Sequence, residues 1–394
     1  MKGIAVTGMG IISAIGRDIE ETHLSLKYGK NGISFPEILP TKHKDLPVGE
    51  IKLSNSELSE LLNLPEDHSY TRAALLGIYA IKELLENSAY DQFPEDTGFI
   101  SGTSIGGIDM TEKHFYDYKN NPEKRKYIQA QHPGYTTEKI AEYFGLNGMI
   151  TTISTACSSS ANAIMMGAQM IESGKLMRVI VGGSDCLTKF TLNGFNSLKI
   201  LSTKNSRPFD NARDGLNLGE AAGYLMLEAE DCINGKTVLG RVSGYGNAND
   251  AFHQTASSEN GEGAFQAISK ALKKANLSTT DIDFINAHGT GTKNNDLSES
   301  VALKRIFGDK VPYFSSTKGF TGHTLGAAGA VEAIFSLLAI QKGEMFPNLN
   351  FSTEMLETGL GPVTGFQKKN INTMLSNSFG FGGNCTSLIF QRNE

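Results

Sequence analysis

The sequence predicts an α/β protein built of two duplicated halves, each a sheet flanked by helices, and three observations carry that prediction. One local design occurs twice: a β-branched strand, a Cys or His at its end, then small residues that open an apolar helix. The segments on either side of that unit also correspond between the halves. The chain has 394 residues, two to three times the commonest domain size, which suits one large two-part domain.

The opening MKGIAVTGMGIISAIG is apolar with a lysine at position 2, so a signal peptide has to be weighed first. Gly3, Gly8, Gly10 and Gly16 instead divide it into a β-run, Ile4 to Thr7, and a turn. No small-residue cleavage site precedes the charged run Arg17 to Glu21. TGFISGTSIGG (97–107) and IDFINAHGTGT (282–292) are each an apolar strand entering a Gly/Ser/Thr-rich turn. ITTISTA (150–156) ends at Cys157 and passes into SSSANAIMMGAQMIES, while VPYFSSTKGFTG (311–322) ends at His323 and passes into TLGAAGAVEAIFSLLAIQKG. Both following helices are too apolar to lie on a surface. MRVIVGGSD (177–185) and NTMLSNSFGFGG (372–383) complete the correspondence as apolar runs ending in glycine turns. Mainly parallel central strands are expected, with halves 1–245 and 246–394 meeting near GYGNANDAFHQT (244–255). Segments 28–70 and 108–140 have no counterpart and are expected to be excursions that cover a site, and the charge cluster Lys119 to Lys126 a solvated loop.

Composition removes several classes of function. With 36 Lys+Arg against 42 Asp+Glu the net charge is -6, which argues against nucleic-acid binding by bulk electrostatics and requires a local basic patch for any acidic partner. No window of about 18 apolar residues is evident, so no membrane span is expected. Four cysteines, Cys157, Cys186, Cys232 and Cys385, give neither a disulfide framework nor paired metal spacing, and a reducing cytoplasm is the expected setting. There is no P-loop, no dinucleotide fingerprint with its acidic residue and no metal-ligand cluster, so neither cofactor nor metal is expected.

The chemistry gathers at the turns. Cys157 sits where a strand hands over to a helix opened by Ser158, Ser159 and Ser160, a placement expected to lower a thiol pKa. His288 and His323 lie in glycine- and threonine-rich turns at corresponding points of the two halves, where open sheets present ligand groups. Lys318, in the apolar run TKGFTGH, fits a site lysine better than a solvated one. The glycine-rich loop 379–384 can supply a backbone N–H. Cys, two His and Lys with such a loop suit acyl transfer through a thioester.

The ordered set STACSSSA, NAHGTGT, KGFTGHTLGAAGA and NSFGFGGN resembles the elongating β-ketoacyl-acyl-carrier-protein synthases, the decarboxylating condensing enzymes of thiolase fold, and the resemblance runs over essentially the whole chain. It implies duplicated halves in a five-layered αβαβα arrangement. It further implies Cys157 as the nucleophile that receives an acyl chain from an acyl carrier protein. His288 and His323 would bind the malonyl thioester carbonyl and promote loss of carbon dioxide, with Lys318 orienting the second histidine. The N–H groups of Cys157 and Phe381 would form an oxyanion hole, and Phe379 with Phe381 would gate the acyl pocket. Ile105 and Phe195 would line that pocket, Thr290 and Thr292 would contact substrate, and Lys199 and Lys204 would dock the acidic carrier. The family is dimeric, so a homodimer, or a heterodimer with a chain-length-factor relative, is expected.

His323 separates the chain from related initiating synthases, which carry Asn there. Cys385 follows Gly382-Gly383, the wrong place for the second cysteine of a coenzyme A-dependent thiolase. A non-catalytic chain-length partner would lack Cys157. Where the family usually reads Thr-Asn after the glycines this chain has Asn384-Cys385, and its triple serine after Cys157 is closer to polyketide-type enzymes. The resemblance therefore points to an aryl-polyene or type II polyketide pathway, with fatty-acid elongation as the alternative.

Overall fold

The protein is described by a computed structural model covering residues 3–65, 67–233 and 235–393; Met1 and Lys2 of the opening segment lie outside it. The apolar runs of the first half become β1 (Ile4–Ser13), β2 (Gly98–Gly102), β3 (Ile150–Ile153), β4 (Arg178–Asp185) and β5 (Ala221–Glu228). Those of the second become β6 (Gly240–Asn249), β7 (Phe284–Asn286), β8 (Tyr313–Ser315), β9 (Thr373–Phe379) and β10 (Asn384–Gln391). All ten are hydrogen-bonded in the order β8-β7-β9-β10-β6-β1-β5-β4-β2-β3. Read outward from the centre, each half gives its first, fifth, fourth, second and third strand, so the duplication extends to topology. The expected boundary at 245/246 falls inside β6, the strand that opens the second repeat.

The expectation of mainly parallel strands needs correction. β2 is parallel to β3 and β4, and β7 to β8 and β9, but the remaining pairs are antiparallel, including the β1–β6 pair that joins the halves. Parallel neighbours need a long crossover, whereas β9 returns directly as β10 through the tight turn at Phe381–Gly383.

Six helices complete the layers: α1 (Arg72–Glu86), α2 (Ser159–Glu172), α3 (Lys189–Ser197), α4 (Glu262–Ala275), α5 (Lys293–Phe307) and α6 (Ala328–Lys342). α1 packs on β1 and β5, α2 and α6 lie side by side between the two half-sheets, and α4, backed by α5, covers β6 and β10. This is the five-layered αβαβα arrangement of the thiolase fold. A helix enclosed between two sheets must be apolar all round, and every residue of Ala328–Ile340 is buried. By length and composition Leu325–Lys342 is long enough to cross a membrane, contrary to the expectation from sequence, but 89% of it is buried in this middle layer.

Glycine permits the close contacts. β1 runs on past the predicted Ile4–Thr7 through Gly8 and Gly10, with an irregularity between Val6 and Gly8. A Cβ at Gly10 would stand 2.0 Å from the Ala80 carbonyl of α1, so the glycine seats a helix and does not end the strand. A Cβ at Gly329 would stand 2.7 Å from Ala161, where α6 crosses α2.

Candidate active site

β3 ends in a turn that places Cys157 at the head of α2. Ala156 holds φ 52°, a left-handed conformation costly for a residue with a Cβ, and the turn is closed by bonds from the Ser158 and Ser159 N–H groups to the Thr155 and Ala156 carbonyls. The bend carries Cys157 off the sheet and into a cavity of about 550 Å³. Phe195, Lys199, His288, Thr290, Thr292, His323, Phe379 and Phe381 line the same cavity.

Each histidine is fixed through its backbone. At the end of β7 the His288 and Gly289 N–H groups donate to the buried Glu299 carboxylate of α5 at 2.9 and 2.8 Å. His323 donates its N–H to the Asn217 carbonyl at 2.7 Å and accepts from the Gly219 N–H at 2.9 Å. The imidazole centroids are 5.4 Å apart and nearly perpendicular. Phe379 lies 5.6 Å from the His288 ring, and Phe381 stacks on Phe195 at 5.5 Å.

Lys318 is buried beneath the cavity, paired with Glu332 of α6, and its Nζ donates to His288 Nδ1 at 3.3 Å. The expected partner was His323. Lys318 opens a short helix, Lys318–Thr321, and from there its stem spans to α6 and to the His288 ring. Accepting at Nδ1 leaves the neutral His288 ring with its proton on Nε2.

Burial dominates the electrostatics. It pushes the Cys157 thiol up to about 12, although the Lys318 charge and the N–H groups of Phe381 and of Cys157 itself pull it down. The lowered thiol expected from a helix terminus is therefore reversed: desolvation of a fully enclosed sulfur exceeds the terminus effect. Burial, then the Lys318 charge, holds both imidazoles well below the ordinary histidine value. Glu332 is pushed up to about 7 by burial against the pull of Lys318.

Of the other residues singled out in the sequence, Ile105, Lys204, Cys186 and Cys232 lie outside this cavity. Ile105 is half-buried against the apolar cluster under α1, and its N–H points to Asp185. Lys204 is exposed, and its carbonyl accepts from Asn217. Cys186 and Cys232 do not line the cavity, whereas Cys385 on β10 does, its thiol pushed up by burial.

Neither excursion lines this cavity. The apolar side chains of 28–70, such as Ile51, Leu53, Leu58 and Leu62, pack against α1. The mouth is lined by 253–257 together with Asp250, a stretch the sequence offered only as the junction of the halves. Asp250 accepts from the N–H groups of Ser258 and Gly263, and Gly382 donates to the Gln254 carbonyl at 2.7 Å, fastening this loop to the hairpin that carries Phe381. Glu299 and Glu332 were also missed, since a carboxylate on a helix reads as a surface residue until the fold encloses it. Among the described residues no group of three or more His, Cys, Asp or Glu could hold a metal ion.

Comparison with known proteins identifies this arrangement. Residues 1–231 match the family described as "Beta-ketoacyl synthase, N-terminal domain", and residues 239–352 match "Beta-ketoacyl synthase, C-terminal domain". The chain belongs to the β-ketoacyl synthase family. It is an acyltransferase of the condensing type. This β-ketoacyl synthase is 34% identical to a putative mitochondrial 3-oxoacyl-[acyl-carrier-protein] synthase of Schizosaccharomyces pombe, with 100% of this chain and 99% of that one covered. It is also 34% identical to 3-oxoacyl-[acyl-carrier-protein] synthase 2 of Rhizobium meliloti at the same coverage. Among solved structures it resembles the ishigamide ketosynthase/chain length factor, with a TM-score of 0.94, 28% identity and full coverage of both chains. A ketosynthase in complex with its chain length factor from Xenorhabdus doucetiae superposes at a TM-score of 0.85 with 32% identity, over 100% of this chain and 98% of that one.

Proposed function

We propose that this synthase loads an acyl chain from an acyl carrier protein onto Cys157 and extends it with malonyl-carrier in a secondary pathway of the aryl-polyene or type II polyketide kind. The observation that carries the reading is the convergence of the Cys157 thiol and two neutral imidazoles on one cavity beside a glycine hairpin.

In the first half-reaction the deprotonated Cys157 sulfur attacks the acyl thioester carbonyl. A C–S bond forms, the bond to the carrier thiol breaks, and that thiol leaves with a proton. The N–H groups of Cys157 and Phe381 hold the transient oxyanion. In the second, His288 and His323 donate from their rings to the malonyl thioester carbonyl, stabilising the enolate left as carbon dioxide departs. The enolate carbon bonds to the acyl carbonyl, and the Cys157 sulfur is expelled and regains a proton. A neutral ring is the form this step needs, since a hydrogen bond to the developing enolate costs no proton from the site.

The triple serine after Cys157 and the similarity to the ishigamide and Xenorhabdus doucetiae ketosynthases support the secondary pathway, and the latter's complex favours a chain-length-factor partner over a homodimer. The similarity to enzymes named 3-oxoacyl-[acyl-carrier-protein] synthase 2 favours fatty-acid elongation as a second reading. Intact-protein mass spectrometry with saturated, polyenoyl and aryl carrier thioesters, followed by malonyl-carrier, separates them. Preferential loading and extension of polyenoyl or aryl chains is expected, and preference for saturated chains would favour the second reading. Cys157→Ala is expected to abolish loading and extension while malonyl-carrier decarboxylation persists. Extension by that variant would refute the nucleophile.

A further inference from the structure

Asn384 departs from the threonine that the resemblance implies at this position, and the structure surrounds its side chain with donors. Its Oδ1 accepts from Ser158 Oγ at 2.8 Å, from Asn162 Nδ2 at 2.8 Å and from Asn247 Nδ2 at 2.9 Å. The three partners come from three elements: the turn after Cys157, helix α2 and strand β6. Asn162 returns the contact by accepting from Asn247 at 3.0 Å and from Thr386 at 2.8 Å, and it donates to Thr155 Oγ1 at 2.9 Å. The facing hydroxyl and amide NH2 groups fix which end of Asn384 is the oxygen.

The place of this cluster in the chain matters as much as its bonds. Ser158 directly follows Cys157, and the Asn384 carbonyl accepts from the Gly380 N–H at 2.8 Å, closing the hairpin that presents Phe381. The Ser158–Asn384 bond therefore ties together the two backbone segments whose N–H groups must converge on one oxygen. Those segments come from opposite halves of the duplicated fold, and this bond joins them directly, beside the Phe381–Phe195 ring stack. A threonine hydroxyl offers a shorter reach than the Asn carboxamide oxygen, which bridges to the amides of Asn162 and Asn247.

We infer that Asn384 is a positioning residue: through Ser158, Asn162 and Asn247 it sets the separation of the Cys157 and Phe381 N–H groups and so governs the steps that pass through a tetrahedral oxyanion. The inference rests on the acyl-transfer reading above. It separates the two half-reactions, because acyl loading and carbon–carbon bond formation use those N–H groups, whereas loss of carbon dioxide from malonyl-carrier uses the imidazoles.

The full chain is compared with Asn384→Leu, which keeps the shape and removes the acceptor, Asn384→Asp, which keeps an acceptor oxygen, and Asn384→Ala, which removes the acceptor without adding bulk. Single-turnover loading of Cys157 from an acyl-carrier thioester is followed by intact-protein mass spectrometry, and malonyl-carrier decarboxylation is measured on the same preparations. Asn384→Leu and Asn384→Ala are expected to slow loading about ten- to a hundredfold, the cost of misplacing an oxyanion donor, with decarboxylation within about twofold. Asn384→Asp is expected to recover most of the loading rate. Loading within about twofold in Leu and Ala, equal loss of loading and decarboxylation, or failure of Asp to recover, would each overturn the inference. A wild-type chain that decarboxylates malonyl-carrier but accepts no acyl group would overturn the acyl-transfer reading itself.

Discussion

His288 and His323 illustrate how burial selects a protonation state. Both rings are enclosed, and Lys318, though paired with Glu332, adds positive potential, so each ring is held well below the ordinary value of 6.5. The unfolded chain takes up protons at these rings below about pH 6.5 that the folded chain refuses. Their contribution to stability is therefore present above that pH and is lost as the pH falls beneath it. Direct observation by 15N NMR of histidine-labelled protein should find both rings neutral from about pH 5.5 to 7.5 (roughly one unit either side of the ordinary value), with His288 unprotonated at Nδ1. A His288 or His323 resonance that titrates near pH 6.5, or a proton on His288 Nδ1, would contradict the Lys318 hydrogen bond and the proposed donation from Nε2. In Cys157 the same burial works against the chemistry, since it favours the thiol. The pull of Lys318 and two N–H groups opposes that desolvation, and in the proposed reaction the thiol has to ionise against it.

At the scale of elements, the site depends on two helices that could not cross if they carried ordinary side chains. α2 and α6 meet at Ala161 and Gly329, and Ser160 Oγ accepts from the Ala330 N–H at 2.9 Å, so the segments leading from Cys157 and from His323 are locked side by side. Gly329→Val would force a Cβ to within 2.7 Å of Ala161 on a helix whose residues Ala328–Ile340 are all buried. The expected cost is about 1–3 kcal/mol, read as a lower denaturant midpoint. Gly194→Ala in α3, where a Cβ meets nothing within 4 Å, is the matched comparison, and it should leave the midpoint unchanged or raise it by up to about 1 kcal/mol of stability. Equal midpoints for Gly329→Val and the wild type would mean that the middle layer is looser than these contacts require. This close packing was legible in the sequence, because a run of small residues leading into a helix that is apolar all round marks a helix enclosed by neighbours at short range. The reach of Lys318 was not, because a sequence offset of five residues to His323 says nothing about where a long side chain turns.

For the whole molecule, the duplicated plan was readable because strand, turn and helix recur in the same order in both halves; Cys157 and His288 were readable because each closely follows a strand end, and His323, which lies beyond the short helix Lys318–Thr321, because it stands at the corresponding point before α6. The antiparallel joins other than the β9–β10 hairpin, the fastening of the Asp250 loop to the Phe381 hairpin, and the partnerships of Glu299, Glu332 and Asn384 were not, since they are defined by contacts between segments distant in sequence or by a helix face that only packing encloses. Charge is the remaining property of the whole chain: at -6 it repels an acidic partner unless basic groups are gathered at the entrance. Lys199 lines the cavity on the open side of α3, exposed and in a left-handed conformation (φ 55°), while Lys204 lies exposed five residues on; Asp214 and Asp250 share the lining and set the opposing field. If the lysines guide an acidic carrier, Lys199→Glu with Lys204→Glu should raise the KM for acyl-carrier roughly tenfold at low salt with little change in kcat, because the charges act on encounter and not on bond making. The effect should shrink as ionic strength rises, and it should vanish with a pantetheine-bound donor that carries no protein charge. An equal rise for the pantetheine donor would instead mean that the substitutions had disturbed the cavity itself, and the carrier would have to dock elsewhere.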